Sequence, residues 1–169
     1  MKHLKKIVVA VVLFVATSSF VNAQNKVAHI DVSELMSAMP EMKAAEAELK
    51  KLQETYGADI QSSVTEMQNK YKQYQNEAAT KSDEENQKRM AELEGFDRTI
   101  KEAQQKAQQE LQNKQVALLG PISDKAKLAI EKVAAAQGMN YVLDSSQGSG
   151  VIVAKGTDLL PLVKKELGF

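Results

Sequence analysis

Residues 42–78 read MKAAEAELKKLQETYGADIQSSVTEMQNKYKQYQNEA, and residues 90–118 read MAELEGFDRTIKEAQQKAQQELQNKQVAL. In the first stretch, apolar or aromatic side chains recur at Met42, Ala45, Leu49, Leu52, Tyr56, Ile60, Val64, Met67, Tyr71, Tyr74 and Ala78. The steps alternate between three and four residues, broken by a run of fours near Gly57, which describes a heptad seam with one stutter. The second stretch carries Met90, Leu93, Phe96, Ile100, Ala103, Ala107, Leu111 and Leu118. Met67 with Phe96, Ile60 with Ala103 and Tyr56 with Ala107 have position numbers adding to 163, while Val64 with Ile100, Tyr71 with Leu93 and Tyr74 with Met90 add to 164. A near-constant sum is the signature of a chain that doubles back on itself, with its tip near residues 81–82.

The tip has its own signal. Ser82 followed by Glu85 forms a capping box, and Asp83, Glu84 and Glu85 supply negative charge at the start of the second helix. That acidic run does not have the spacing of a calcium-binding loop, so it reads as helix capping. Between Glu41 and Leu119 there is no proline and only two glycines, Gly57 and Gly95. The remainder is rich in Ala, Glu, Lys, Gln and Leu, all good helix formers. Residues 41–119 are therefore expected to form a long antiparallel helical hairpin, wet on its outer faces and flexible at the stutter and at Gly95.

The two chain ends are expected to build a small body, residues 24–40 and 120–169. Lys26 to Val32 reads as a short strand, with Ala28, Ile30 and Val32 on one face and Val27, His29 and Asp31 on the other. Gly120-Pro121 is expected to stop the hairpin's second helix and start a new one. Tyr141-Val142-Leu143-Asp144 and Val151-Ile152-Val153-Ala154 read as an antiparallel strand pair around the loop Ser145–Gly150. Thr157-Asp158 then caps a last helix, with Pro161 in its first turn. The body is too small to bury much surface, and Val151–Ala154 is apolar on both faces. Self-association through the sheet follows as an expectation, with Ile30, Val32, Val142, Val151, Ile152 and Val153 as candidate interface residues.

Residues 1–23, MKHLKKIVVAVVLFVATSSFVNA, have the basic start, short apolar run and small-residue end of a secretory signal cleaved after Ala23. The apolar run is too short to cross a bilayer, which needs ~20 residues. Lys2, Lys5 and Lys6 leave with it and no acid does, so the remaining chain has 19 basic against 22 acidic side chains, a net −3. That balance argues against nucleic-acid binding, which is driven by phosphate neutralisation. No basic run longer than two residues remains to favour a polybasic membrane contact, so contact with a membrane surface stays open. With no cysteine in an exported chain, the periplasm is the expected compartment.

Catalysis and cofactors find no foothold. There is no Cys, and His29 is the only His after the signal, so neither a thiol nucleophile nor a His-built metal site can be assembled. The Ser145–Gly150 loop lacks the Lys of a phosphate-binding loop. No enzyme activity and no cofactor are expected. Tyr56, Ile60, Val64, Met67, Tyr71, Tyr74, Phe96 and Ile100 form the hairpin seam, and their aromatic and flexible side chains also suit contact with varied partners.

An export signal, an N-terminal strand, a long helical hairpin and a closing set of strands and helix together resemble the Skp/OmpH family of periplasmic chaperones. The resemblance is carried by Ala28-His29-Ile30-Asp31-Val32-Ser33-Glu34-Leu35, by Tyr141–Asp144 with Val151–Ala154, and by Thr157-Asp158-Leu159-Leu160-Pro161-Leu162-Val163. It implies an α+β, mainly α fold and a jellyfish-like homotrimer. It also implies an ATP-independent holdase that encloses unfolded outer-membrane proteins on their way to the outer membrane. The net charge of −3 departs from the basic character of that family. The competing reading is an exported coiled-coil scaffold or spacer of the cell envelope.

Overall fold

The computed structural model describes residues 26–169, so the expected signal segment 1–23 and its cleavage point lie outside the described residues. The elements run β1 (Val27–Ile30), α1 (Val32–Ala38), α2 (Pro40–Glu77), a 3-10 turn (Ala78–Thr80), α3 (Asp83–Ala136), β2 (Tyr141–Asp144), β3 (Thr157–Asp158) and α4 (Leu160–Leu167). The fold is mainly α with a small β part. The described chain forms two compact units, one of residues up to Val32 with Ala129–Phe169, the other Ser33–Leu128.

The first unit holds the sheet, in the order β2-β1-β3. β1 is central and parallel to both neighbours, with Val27 opposite Tyr141, His29 opposite Leu143, and Ala28 opposite Thr157. Strands separated by a long helical excursion are free to pair in parallel, which a tight turn forbids. The antiparallel pair expected from Tyr141–Asp144 and Val151–Ala154 is therefore corrected. The second partner of β1 is Thr157–Asp158, and Val151–Ala154 lies outside any strand.

Local chemistry accounts for the difference. Asp144 Oδ1 accepts hydrogen bonds from the Ser146 hydroxyl (2.6 Å), the Ser146 N–H (2.9 Å) and the Val32 N–H (3.4 Å), which ties the chain down as it leaves β2. Gly148 and Gly150 then take φ of 88° and 90°, a left-handed conformation that cannot continue a strand. Further on, a Cβ at Gly156 would sit 3.3 Å from the Val27 carbonyl oxygen, so the bare backbone lets β3 come alongside β1. Asp158 belongs to β3, and from the position before the N-cap residue Leu159 its Oδ1 accepts the Leu160 N–H, the first of α4, at 2.9 Å. Gly168, at φ 89°, closes α4 through its N–H to the Lys164 and Lys165 carbonyls. Ala28 and Ile30 on the inner face of β1 are buried, as are Ala129, Val133, Leu159 and Val163 in the same unit.

The second unit is helical. Met39 is extended (φ −62°, ψ 128°), as the residue before a proline must be, and Pro40 opens α2 at its first position. α2 has 38 residues, hence about 57 Å at 1.5 Å per residue. After Lys81 and Ser82 the chain reverses into α3. The Ser82 hydroxyl accepts the Glu85 N–H at 3.2 Å, one half of a capping box, while the Glu85 carboxylate turns instead to Arg89.

α3 does not stop at Gly120-Pro121. It runs unbroken from Asp83 to Ala136 with Pro121 inside it, which corrects the expected break. The proline ring removes one N–H and crowds the carbonyl four residues back. Ile100 and Ala107 are buried before it, and Ile122 and Ala126 after it. The buried apolar face of α3 thus continues on both sides of the ring.

Candidate functional site

The hairpin is zipped by side chains that fix its direction. Across α2 and α3, Lys114 pairs with Glu48 (2.7 Å), Lys70 with Glu92 (2.5 Å) and Arg89 with Glu77 (2.8 Å). The Tyr56 hydroxyl donates to Glu110, and Lys125 pairs with Glu41. Partners rising along α2 fall along α3, so the helices are antiparallel. These bonds shift the groups that make them. The Lys125 ammonium holds Glu41 below its ordinary value, and the hydrogen bond to Glu110 pushes the Tyr56 phenol up.

Of the seam residues expected from periodicity, Ile100 is buried, and Tyr56, Ile60, Val64, Met67, Tyr74 and Phe96 are half-buried. Tyr71 differs, with 53% of its surface exposed. A two-helix seam has no third layer, so its aromatics keep one edge in solvent. Met90 is also outside the seam, at 56% exposure.

Arg89 takes the place expected of Met90. Its side chain is only 13% exposed, its guanidinium lies 4.6 Å from the centre of the Tyr74 ring, and it bonds Glu77 and Glu85. The Tyr74 hydroxyl donates to Glu92 at 2.6 Å, and Lys70 reaches both Glu92 and the Phe96 ring (5.2 Å). Asn86 closes the end, its side-chain N–H donating to the Ala78 carbonyl at 3.0 Å. The heptad signal for this was present in the sequence. Asn86, Arg89, Leu93, Phe96 and Ile100 follow steps of three, four, three and four, a better heptad than the series through Met90. A charged side chain at a seam position is easily read as solvent-facing, although Arg can stack an aromatic ring on its face and pair carboxylates along its edge.

Beside this network lies a cavity of about 250 Å³ between the helices, lined by Tyr71, Tyr74, Ala78, Arg89, Met90 and Leu93 among others. A second, of about 210 Å³, lies further along, beside Tyr56, Ile60, Ala103 and Ala107. Among the described residues no group of three His, Asp or Glu side chains could hold a metal ion, and no helix is long and apolar enough to cross a membrane.

In the other unit the outer face of the sheet is apolar. Val27 is 43% exposed, Tyr141 56% and Leu143 47%. His29 shares that face, its Nδ1 hydrogen-bonded to Ser145 Oγ at 3.3 Å. Of the candidate interface residues, Ile152 and Val153 are strongly exposed, and Val142 and Val151 are half-buried. Ile30 is spent on the inner core, and Val32 opens α1 instead of ending the strand. Strand alternation had already put Val27 and His29 on the face opposite Ile30. Extending it to Tyr141 and Leu143 needed the parallel register, which the sequence did not reveal.

Residues 26–167 match the family described as Outer membrane protein (OmpH-like). The fold is similar to the crystal structure of a protein from Caulobacter crescentus CB15 provisionally designated an outer membrane chaperone (OmpH-like). The TM-score is 0.76 at 20% identity, over 86% of this chain and 85% of that one. The comparison with curated proteins found no significant match. The family match begins at the residue before β1 and ends at the last residue of α4, taking in the sheet, the zipped hairpin and the closing helix, and the chain belongs to the OmpH-like family.

Proposed function

We propose that this protein is an exported, ATP-independent holdase chaperone of the periplasm, a binding protein and not an enzyme. Its clients are unfolded outer-membrane proteins, and copies of the chain associate as a homotrimer through the apolar outer face of the sheet. The designation of the Caulobacter protein as an outer membrane chaperone supports the reading.

The observation that carries it is the hairpin itself. It is a long paired-helix surface with half-exposed Tyr, Met and Phe side chains and a wet exterior of mixed charge. Such a surface offers many weak contacts, none worth more than ~1 kcal/mol, that sum by avidity when several hairpins face one chain. Enclosure keeps client strands from pairing edge to edge with one another. The cross-hairpin ion pairs are what a stiff envelope scaffold would also use, so the two readings part on client binding.

The test dilutes a urea-unfolded outer-membrane barrel protein into buffer with the purified protein lacking residues 1–23. Suppressed aggregation near one oligomer per client is expected. Unchanged turbidity, with the hairpin normally folded by circular dichroism, overturns the holdase in favour of the scaffold.

A further inference from the structure

We propose that the cavity near the hairpin tip is a subsite for a single neutral aromatic side chain of an extended client segment. The inference rests on the client-binding reading above and deepens it, by giving one point on the hairpin a chemical preference. The cavity's volume, about 250 Å³, admits one large side chain and excludes a helix. Its lining suits a ring: Tyr71 and Tyr74 supply aromatic surface, Met90 a thioether, Leu93 an aliphatic wall and Ala78 a small side chain at the floor, with the polar Gln75 and Asn86 beside them. Tyr71 and Met90, each more than half exposed, leave those walls accessible from solvent.

Charge selects among the occupants. Arg89, which lines the cavity, is already paired with Glu77 and Glu85, so two carboxylates stand against one guanidinium there. A free carboxylate finds the Arg89 head already engaged by two others, and a cation would have to displace Arg89 from partners it already holds. One Arg89 nitrogen, Nη1, is buried and has no hydrogen-bond partner. If the Arg89 head turns toward the cavity, a neutral occupant that brings an acceptor, either a phenol oxygen or the carbonyl of its own backbone, can satisfy that donor. Strands of membrane barrels carry girdles of aromatic residues at both ends, so a client of the proposed class presents such side chains repeatedly.

The test uses a soluble ten-residue peptide with one central Tyr and blocked ends, titrated into the isotopically labelled oligomer lacking residues 1–23. Backbone amide shifts should change around Tyr71, Ala78 and Met90. Replacing the peptide's Tyr with Leu should weaken binding about five-fold, and a second peptide that ends in its one Tyr with a free carboxylate should bind more weakly than the same peptide with that end blocked. Ala78→Phe, at an exposed position that fills the floor, should abolish the shifts while circular dichroism stays unchanged. Equal binding of the Tyr and Leu peptides, shifts mapping elsewhere or no shifts at all would overturn the subsite, as would undiminished binding by Ala78→Phe. The peptide titration reads the subsite directly, so it decides this inference whichever way the aggregation assay decides the holdase.

Discussion

Gly156 shows how one missing side chain sets the topology of the sheet. Its bare Cα faces the Val27 carbonyl of the central strand, where an added Cβ would stand 3.3 Å away. Gly156→Val should therefore push β3 off β1 and destabilise the protein by about 1–2 kcal/mol, seen as a lower urea midpoint with little change in helix content. An unchanged midpoint would mean that β3 is not held there. Arg89 makes the complementary point for a charged residue. Its planar head lies against the Tyr74 ring and bonds two carboxylates, so it closes a seam that an apolar residue was expected to close.

Along the helices, two further outcomes follow. Hydrogen bonds from Lys70 and then Tyr74 hold Glu92 below its ordinary 4.5, and bonds from Gln73 and then Arg89 do the same for Glu77. Tyr74 and Tyr56 are pushed above their ordinary 10.0 by the bonds they give to Glu92 and Glu110. A depressed carboxyl stabilises the hairpin fully above about pH 4.5 and loses that contribution as the pH falls through its folded value. A raised phenol stabilises below about pH 10 and loses its contribution as the pH climbs through its folded value. The thermal midpoint should accordingly stay level between about pH 5 and 9 and drop on both sides, and Glu92→Gln should shrink the drop on the acid side. A midpoint that ignores Glu92→Gln at every pH would show that this network does not hold the hairpin. Pro121 is the second case. Pro121→Ala restores an N–H and removes the ring's crowding inside α3, so it should stabilise by about 1–3 kcal/mol and raise the thermal midpoint. A destabilised variant would mean that the surrounding packing requires the proline's local geometry.

For the whole molecule, the proposed association turns on the outer sheet face. Leu143→Asp places a charge among Val27, His29 and Tyr141 without touching the buried residues Ala28 and Ile30. The expected result is dissociation to a folded monomer in analytical ultracentrifugation, with loss of client protection. Avidity requires several hairpins to act together. A variant that still sediments as the wild type would move the interface to another surface, with Ile152 and Val153 the next to test.

The heptad spacing of residues 42–78 and 90–118, and the turn chemistry at Ser82, were enough to establish a hairpin and its tip, because a seam between two helices is a local, periodic demand on side chains. The closing helix was legible for the same reason: Asp158 and Pro161 act on neighbours a few residues away. What escaped that reading depends on groups far apart in the chain. Which strand lies beside β1 depends on contacts such as Gly156 meeting Val27. The continuity of α3 through Pro121 goes with apolar burial on both sides of the ring. The role of Arg89 follows from Glu77 and Tyr74 on the opposite helix. Spacing can put Arg89 at a seam position, but propensity and spacing do not say which distant groups meet there, since a long-range contact is an energy of the folded chain and not of any segment within it.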